Sequence, residues 1–186
     1  TGDMGVDKDG KPKANFQPGM DIVAKVTVLG EGVRGTLSKQ LIERFGLQGR
    51  NPEVFETGIK EIWRIPPEKH QPGRVMHGMV VHELRNAFGG MWLYDMKDNL
   101  LSYGFVSALD CENPHHDPHL IAQKFKTHPF MRKLLEGGEL VRYGAKTIPM
   151  GGLYSMPKLY VDGALLVGDA AGFCNAERLA GVQDRK

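Results

Sequence analysis

The sequence predicts a fold of mixed class, α+β with an α/β part: an antiparallel sheet with flanking helices, attached to a strand-to-helix unit of the parallel kind. Three stretches predict it. Between residues 51 and 150, β-rich segments recur at roughly 8–12-residue spacing with turn residues between them, the rhythm of an antiparallel sheet. Upstream, residues 22–29 (IVAKVTVL) run through Gly30-Glu31-Gly32-Val33-Arg34-Gly35 into an amphipathic segment. Downstream, the apolar residues 164–167 run into Gly168-Asp169-Ala170-Ala171-Gly172. The last two read as strands of one nucleotide-binding sheet, each ending in a glycine turn.

Taken in order, residues 5–13 (GVDKDGKPK) form a hairpin turning at Asp9-Gly10. Residues 22–29 are dense in β-branched side chains and read as a strand. Residues 36–45 read as a helix with Leu37, Leu41 and Ile42 on one side. The spacing Gly30-x-Gly32-x-x-Gly35 matches a dinucleotide fingerprint. A first phosphate loop also needs an acidic residue at the end of a second strand, and Glu53 and Glu56 instead follow Asn51-Pro52 in a turn. The stretch is therefore read as a later strand of that sheet.

Asn51-Pro52 marks a boundary. Residues 58–65 alternate as a half-buried strand does. Residues 75–81, 91–94 and 100–109 read as further strands, with Asp98-Asn99 as a turn. Residues 119–136 read as helix, broken at His128-Pro129 because proline lacks the N–H and clashes with the preceding turn. Residues 142–148 are the returning strand, and Gly151-Gly152 is the joint. Three regions result: 1–50, 51–150 and 151–186.

Composition excludes several function classes. A chain of 186 residues suits one or two small domains, and 41% apolar with 25% charged residues is ordinary for a globular protein. A net charge of +2 gives no electrostatic footprint for nucleic acid. Cys111 and Cys174 are too few and too far apart for an iron–sulfur cluster, a CxxC site or a disulfide framework. No apolar run approaches the roughly 18 residues of a membrane-spanning helix. His115, His116 and His119 lie between and beside Pro114 and Pro118, and read as solvated histidines capping a helix rather than metal ligands. Met76, Met79, Met91, Trp92 and Tyr94 read as core.

Two motifs carry candidate chemistry. In Gly168-Asp169-Ala170-Ala171-Gly172, small residues keep bulk away from the backbone, so a ligand's phosphate or sugar can approach it. Asp169 can accept hydrogen bonds from ligand hydroxyls; a capping Asp in a tight turn is the plainer alternative. In Phe88-Gly89-Gly90, a flat ring could reach the main chain where no Cβ intervenes, although a bare Gly-Gly is also an ordinary bend in a strand.

The run LEGGELVRYGAKTIPMGGLYSMPKLYVDGALLVGDAAGFCN (residues 135–175), with NAFGGMWLYD (86–95) and GIKEIW (58–63), resembles the electron transfer flavoprotein–ubiquinone oxidoreductase family. The hairpin GVDKDGKPK and the strand AKVTVLGEGVRGTLSKQL follow the same order, and the resemblance covers residues 4–181. It implies a membrane-surface flavoenzyme that takes electrons from reduced electron transfer flavoprotein and passes them through FAD and a [4Fe–4S] cluster to ubiquinone. Such an enzyme is peripheral to a bacterial or mitochondrial inner membrane.

The resemblance also implies roles for residues. Gly168, Asp169 and Gly172 would face the ribityl–pyrophosphate part of FAD. Glu31 and Gly32 stand in the family's Ala-Glu-Gly turn near the same cofactor, with Gly30 in place of the alanine. Phe88, Gly89 and Gly90 match an aromatic-Gly-Gly turn whose backbone, Gly90 above all, bonds a ubiquinone oxygen. Regions 1–50 and 151–186 would then be partial FAD-binding domain, and 51–150 the ubiquinone-binding sheet domain. No acid–base residue is expected to be catalytic, because the flavin carries the redox chemistry. The family's first FAD-binding βαβ unit would precede Thr1, and its four cluster cysteines would follow Lys186. After Gly181 the polar residues 182–186 depart from the helix the family has there. The isolated chain is expected to be soluble and inactive. Another FAD-dependent enzyme, of the aromatic hydroxylase or geranylgeranyl reductase type, is the alternative.

Overall fold

The computed structural model describes residues 2–79 and 87–174. The first hairpin pairs β1 (Met4–Val6) with β2 (Pro12–Gln17). Asp7 closes its turn by accepting the N–H groups of Asp9 and Lys11 at 2.9 and 2.8 Å, and Gly10 takes the positive φ that the turn requires.

The expected strand over residues 22–29 is reduced to β3 (Thr27–Leu29). Its partner β10 (Ala164–Leu166) is itself three residues long and runs parallel to it, Thr27 opposite Ala164 and Leu29 opposite Leu166. Residues 22–26 extend past that partner, and Val23 is 95% exposed. β-Propensity without a neighbour to pack against does not make a strand. A two-residue strand, β9 (Tyr160–Val161), completes the small sheet in the order β3-β10-β9.

Helix α1 (Thr36–Phe45) has the expected bounds and ends on Gly46 in the left-handed conformation. Leu41 and Ile42 pack on Leu29, Leu166 and Ala171. Leu37, expected beside them, is exposed, and the helix buries Ser38 instead.

The second sheet has five antiparallel strands in the order β5-β6-β7-β4-β8. They are β4 (Phe55–Arg64), β5 (Val75–Met79), β6 (Gly89–Asp95), β7 (Leu100–Ala108) and β8 (Glu139–Pro149). Asp98 and Asn99 both have positive φ, 61° and 55°, so β6 and β7 are joined by the mirror-image turn that matches strand twist. The part of the expected 75–81 strand beyond Met79, and residues 175–186 with the tail, lie outside the described residues.

Helices α2 (Pro118–Phe125) and α3 (Pro129–Leu135) cover one face of this sheet. The break at His128-Pro129 stands, and His128 caps α3 by accepting the Phe130 N–H. At α2 the cap is Asp117, which accepts the Leu120 N–H at 3.0 Å, and not one of the neighbouring histidines. Leu93, Leu101, Tyr103, Phe105 and Met131 are completely buried between sheet and helices. Glu61 is buried there too. Lys126 reaches it at 2.7 Å, and Trp63 Nε1 and Gln123 donate to it as well. Burial pushes its carboxyl up, but those donors together hold it below the usual carboxylate range.

Candidate functional site

Because β3 and β10 are parallel neighbours, their carboxyl ends open on the same side. Crevices at such ends are where open α/β sheets take ligands. Val167 donates its N–H to the Leu29 carbonyl at 3.0 Å, and a Cβ on Gly30 would stand 3.2 Å from the Val167 side chain. The two glycine turns are thus side by side. From β10 the chain enters a single 3-10 turn, Gly168–Ala171, closed by Gly172 in the left-handed conformation. Gly168 has φ +62° and Gly32 has φ +76°, and neither would meet an atom within 4 Å of an added Cβ. Both backbones can be approached closely by a ligand. The Asp169 side chain is half-buried and accepts no hydrogen bond among the described residues. A carboxylate held at a strand end without a donor suits a polyhydroxyl ligand.

Glu31 behaves differently from its expected place beside a cofactor. Its carboxylate accepts the N–H groups of Leu37 and Ser38 at 3.2 and 2.7 Å and the Ser38 hydroxyl at 2.7 Å. Those bonds, the Ser38 hydroxyl first, hold its pKa below the ordinary value. The N-terminus of α1 is therefore filled by the protein's own carboxylate. An anion site there would need that end free, so Gly30-x-Gly32-x-x-Gly35 is no first phosphate loop. Gly35 is required for this arrangement, since a Cβ on it would come within 2.8 Å of Glu31 and Ser38.

Phe88, Gly89 and Gly90 lie at the start of β6, in the other sheet, and Phe88 is 44% exposed. The structure does not bring them together with the Gly168–Ala171 turn. The Phe88 carbonyl accepts the Ala108 N–H at 2.8 Å, and the register continues with Gly89 opposite Ser107 and Gly90 opposite Val106. Alternation along an antiparallel ladder then directs the Gly90 N–H at β7 and the Gly89 N–H away from it. A Cβ on Gly90 would stand 2.7 Å from the Gly78 carbonyl of β5. Gly90 is thus demanded by the sheet, and Gly89 beside it is buried. Trp92, on the same face as Gly90, lies so close over Gly104 that any Cβ there would overlap its indole ring.

Between the two sheets is a cleft of about 380 Å³ lined by Arg34, Lys39, Glu53, Phe55, Leu109 and Asp110, among others. Burial raises the Glu53 carboxyl, with Lys39 acting against it. Sequence reasoning missed Glu56. It is 1% exposed, its Oε2 has no partner, and burial pushes its pKa up to about 7. Burial raises the Cys174 thiol, and the charges of Glu56 and Asp169 add to that rise. Sequence reasoning also missed the pairing of Ser107 with His116, at 2.6 Å. No residue spacing announces either one.

Residues 55–148, half of the chain, match the family model described as ETF-QO, ubiquinone-binding. The probable electron transfer flavoprotein-ubiquinone oxidoreductase of Acinetobacter baylyi is 46% identical over 97% of this chain and 32% of its own length. The mitochondrial electron transfer flavoprotein-ubiquinone oxidoreductase of Caenorhabditis elegans is 44% identical over 99% of this chain and 31% of its own. This chain thus spans about a third of the length of these curated relatives. A flavoprotein/dehydrogenase from Cytophaga hutchinsonii shares the fold, with a TM-score of 0.54 at 16% identity, over 95% of this chain and 40% of that one. The chain belongs to the electron transfer flavoprotein–ubiquinone oxidoreductase family.

Proposed function

We propose that this chain is the central part of an enzyme that passes electrons from reduced electron transfer flavoprotein, through FAD and a [4Fe–4S] cluster, to ubiquinone. The observation that carries the reading is a coincidence of bounds. The ubiquinone-binding match over 55–148 falls on the five-stranded sheet with α2 and α3, which begins at Phe55 and ends at Pro149. Regions 1–50 and 151–186 are read as part of the FAD-binding domain, and 51–150 as the ubiquinone-binding domain.

The residues fit a flavin nucleotide. Gly32 and Gly168 leave open backbone at adjacent parallel strand ends, and Asp169 is free to accept from ribityl hydroxyls. Gly172 closes the turn, and Glu31 holds the neighbouring loop in shape by tying it to α1. When bound, the flavin supplies the exchange of electrons between the protein donor and the acceptors. Phe88 is read as a wall of the quinone pocket, Gly89 and Gly90 as its floor. The cluster belongs to the parent outside this chain, as does contact with the surface of an inner membrane. No helix among the described residues is long and apolar enough to cross one.

The test uses the full-length parent and measures flavin reduction by electron transfer flavoprotein separately from ubiquinone reduction. Both are expected. A parent that takes electrons from that donor but reduces no quinone would refute the reading of 51–150.

A further inference from the structure

We propose that Glu56 donates a proton to a ubiquinone bound at the 88–90 turn; the inference rests on the quinone reading of that turn. Alternation along the strands puts the carboxyl on the same side of the sheet as the turn. Ile59, Met91, Tyr103 and Phe105 pack toward α2 and α3. Glu56, Ala108, Phe88 and Gly90 therefore share the opposite face. Glu56 stands opposite Ala108 of β7, whose N–H is bonded to the Phe88 carbonyl at 2.8 Å. Phe88, Ala108 and Glu56 thus form one row across three strands, and the outer two Cα positions are about 10 Å apart at two strand spacings. Ala108 puts only a methyl group between them. Gly58, the next residue of β4 on this face, has no side chain, and an added Cβ there would meet nothing closer than 3.6 Å. A ring lying over Gly90 and against Phe88 has Glu56 across the row from it.

A structural carboxyl would have partners, and this one lacks them. Glu56 is 1% exposed, and its Oε2 accepts no hydrogen bond among the described residues. Such an oxygen carries a desolvation cost that no protein group offsets. A quinone supplies the partner in both of its redox states. The protonated carboxyl donates to a quinone carbonyl, and the ionised carboxyl accepts from a hydroquinone hydroxyl. Few charged groups face it. Lys146 of β8 stands one row along, opposite Gly58, and Lys60 two rows along on β4. The Cys174 thiol feels its charge, and β7 presents only Ala108 and Val106. None of these sets its protonation. Burial alone pushes the carboxyl up to about 7, so near neutral pH it holds a proton that it can give.

The chemistry needs such a group. Ubiquinone takes two electrons, supplied by reduced flavin, and two protons to become the hydroquinone. In the proposed step the O–H bond of the Glu56 carboxyl breaks and an O–H bond forms on the nearer quinone oxygen. The carboxylate left behind accepts a hydrogen bond from that new hydroxyl. The farther oxygen takes its proton from solvent, and a water-borne proton restores the carboxyl when the hydroquinone leaves.

The experiment compares Glu56→Gln and Phe88→Ala with the wild type in the full-length parent, using short-tailed ubiquinone between pH 5 and pH 9. It reads three quantities: flavin reduction by the protein donor, quinone reduction, and the dissociation constant of oxidised ubiquinone without reductant. Quinone reduction at low pH should fall about a hundredfold in Glu56→Gln, the lower range for a positioned proton donor. Flavin reduction and ubiquinone affinity should hold, because the amide still offers a hydrogen bond but has no acidic proton to give. The wild-type rate should decline as pH rises through about 7, where the carboxyl loses its proton to water, and Glu56→Gln should lack that decline. Unchanged quinone reduction in Glu56→Gln overturns the proposal, as does a decline above pH 7 that persists in it. So does a loss that tracks weakened quinone affinity or slowed flavin reduction. Phe88→Ala separates the two levels. Weaker ubiquinone binding there with a silent Glu56→Gln sinks only the proton role, whereas unchanged binding sinks the quinone reading of the turn itself.

Discussion

Two carboxylates of this chain differ in what surrounds them, and that difference sets what each should do. Asp169 is half-buried with no donor among the described residues, so a ligand's hydroxyls are its natural partners. Hydrogen bonds to such a carboxylate contribute about 1.5–3 kcal/mol, roughly ten- to a hundredfold in affinity. Asp169→Ala in the parent should weaken FAD retention by that factor, read as flavin content after extended dialysis. Glu56 is sealed from water with an orphan oxygen, and its pKa sits at about 7 rather than 4.5. A carboxyl whose folded pKa is raised stabilises the fold fully below its ordinary pKa. That contribution is lost as pH rises through 7, on the order of 3 kcal/mol in all. Glu56→Gln should therefore be increasingly more stable than the wild type between pH 5 and pH 8, measured by urea midpoints. A stability difference that ignores pH would mean the site is wetter than its burial implies. Neither environment was legible in the sequence, because burial is decided by residues far along the chain. The Glu31 cap was hidden for a related reason: its partner Ser38 is seven positions away, across a glycine turn.

Elements were more legible where local chemistry decides them. The Asp98-Asn99 turn, the His128-Pro129 break and the bounds of α1 all follow from turn residues, proline and helical spacing, and the structure has them. The 22–26 stretch failed because its strand character depended on the length of β10, which nothing local reveals. The tie between α2 and β4 was invisible for the same reason. Lys126 and Glu61 meet at 2.7 Å, and the lysine also lies over the Trp63 ring at 5.1 Å. Lys126→Met leaves a buried carboxylate short of its cation, which should cost about 3 kcal/mol. Adding Glu61→Gln should recover much of that loss, read by urea titration. Since the Glu61 pKa is depressed, its share of stability is present above the ordinary carboxyl range. It should fade as pH drops through the folded value. If the single and double variants are equally unstable, the ion pair is not what joins helix to sheet. Gly90 belongs at this scale as well. Its closeness to the Gly78 carbonyl means that Gly90→Val should lower the melting temperature through the β5–β6 ladder, whatever it does to quinone.

Over the whole molecule, the chain carries two glycine turns at one parallel strand edge and a separate antiparallel sheet that matches a ubiquinone-binding family model. The only fingerprint spacing in the sequence is closed by Glu31, so no phosphate loop of that type is available here. The isolated chain should then fold yet hold FAD weakly. Tight, stoichiometric yellow flavin in the purified chain would contradict this. The sheet's role is tested most directly by photolabelling the full-length parent with an azido-ubiquinone and mapping the modified peptide. The label should fall on residues 87–91, and unlabelled ubiquinone should displace it. Competed label confined to peptides outside residues 51–150 would contradict the account.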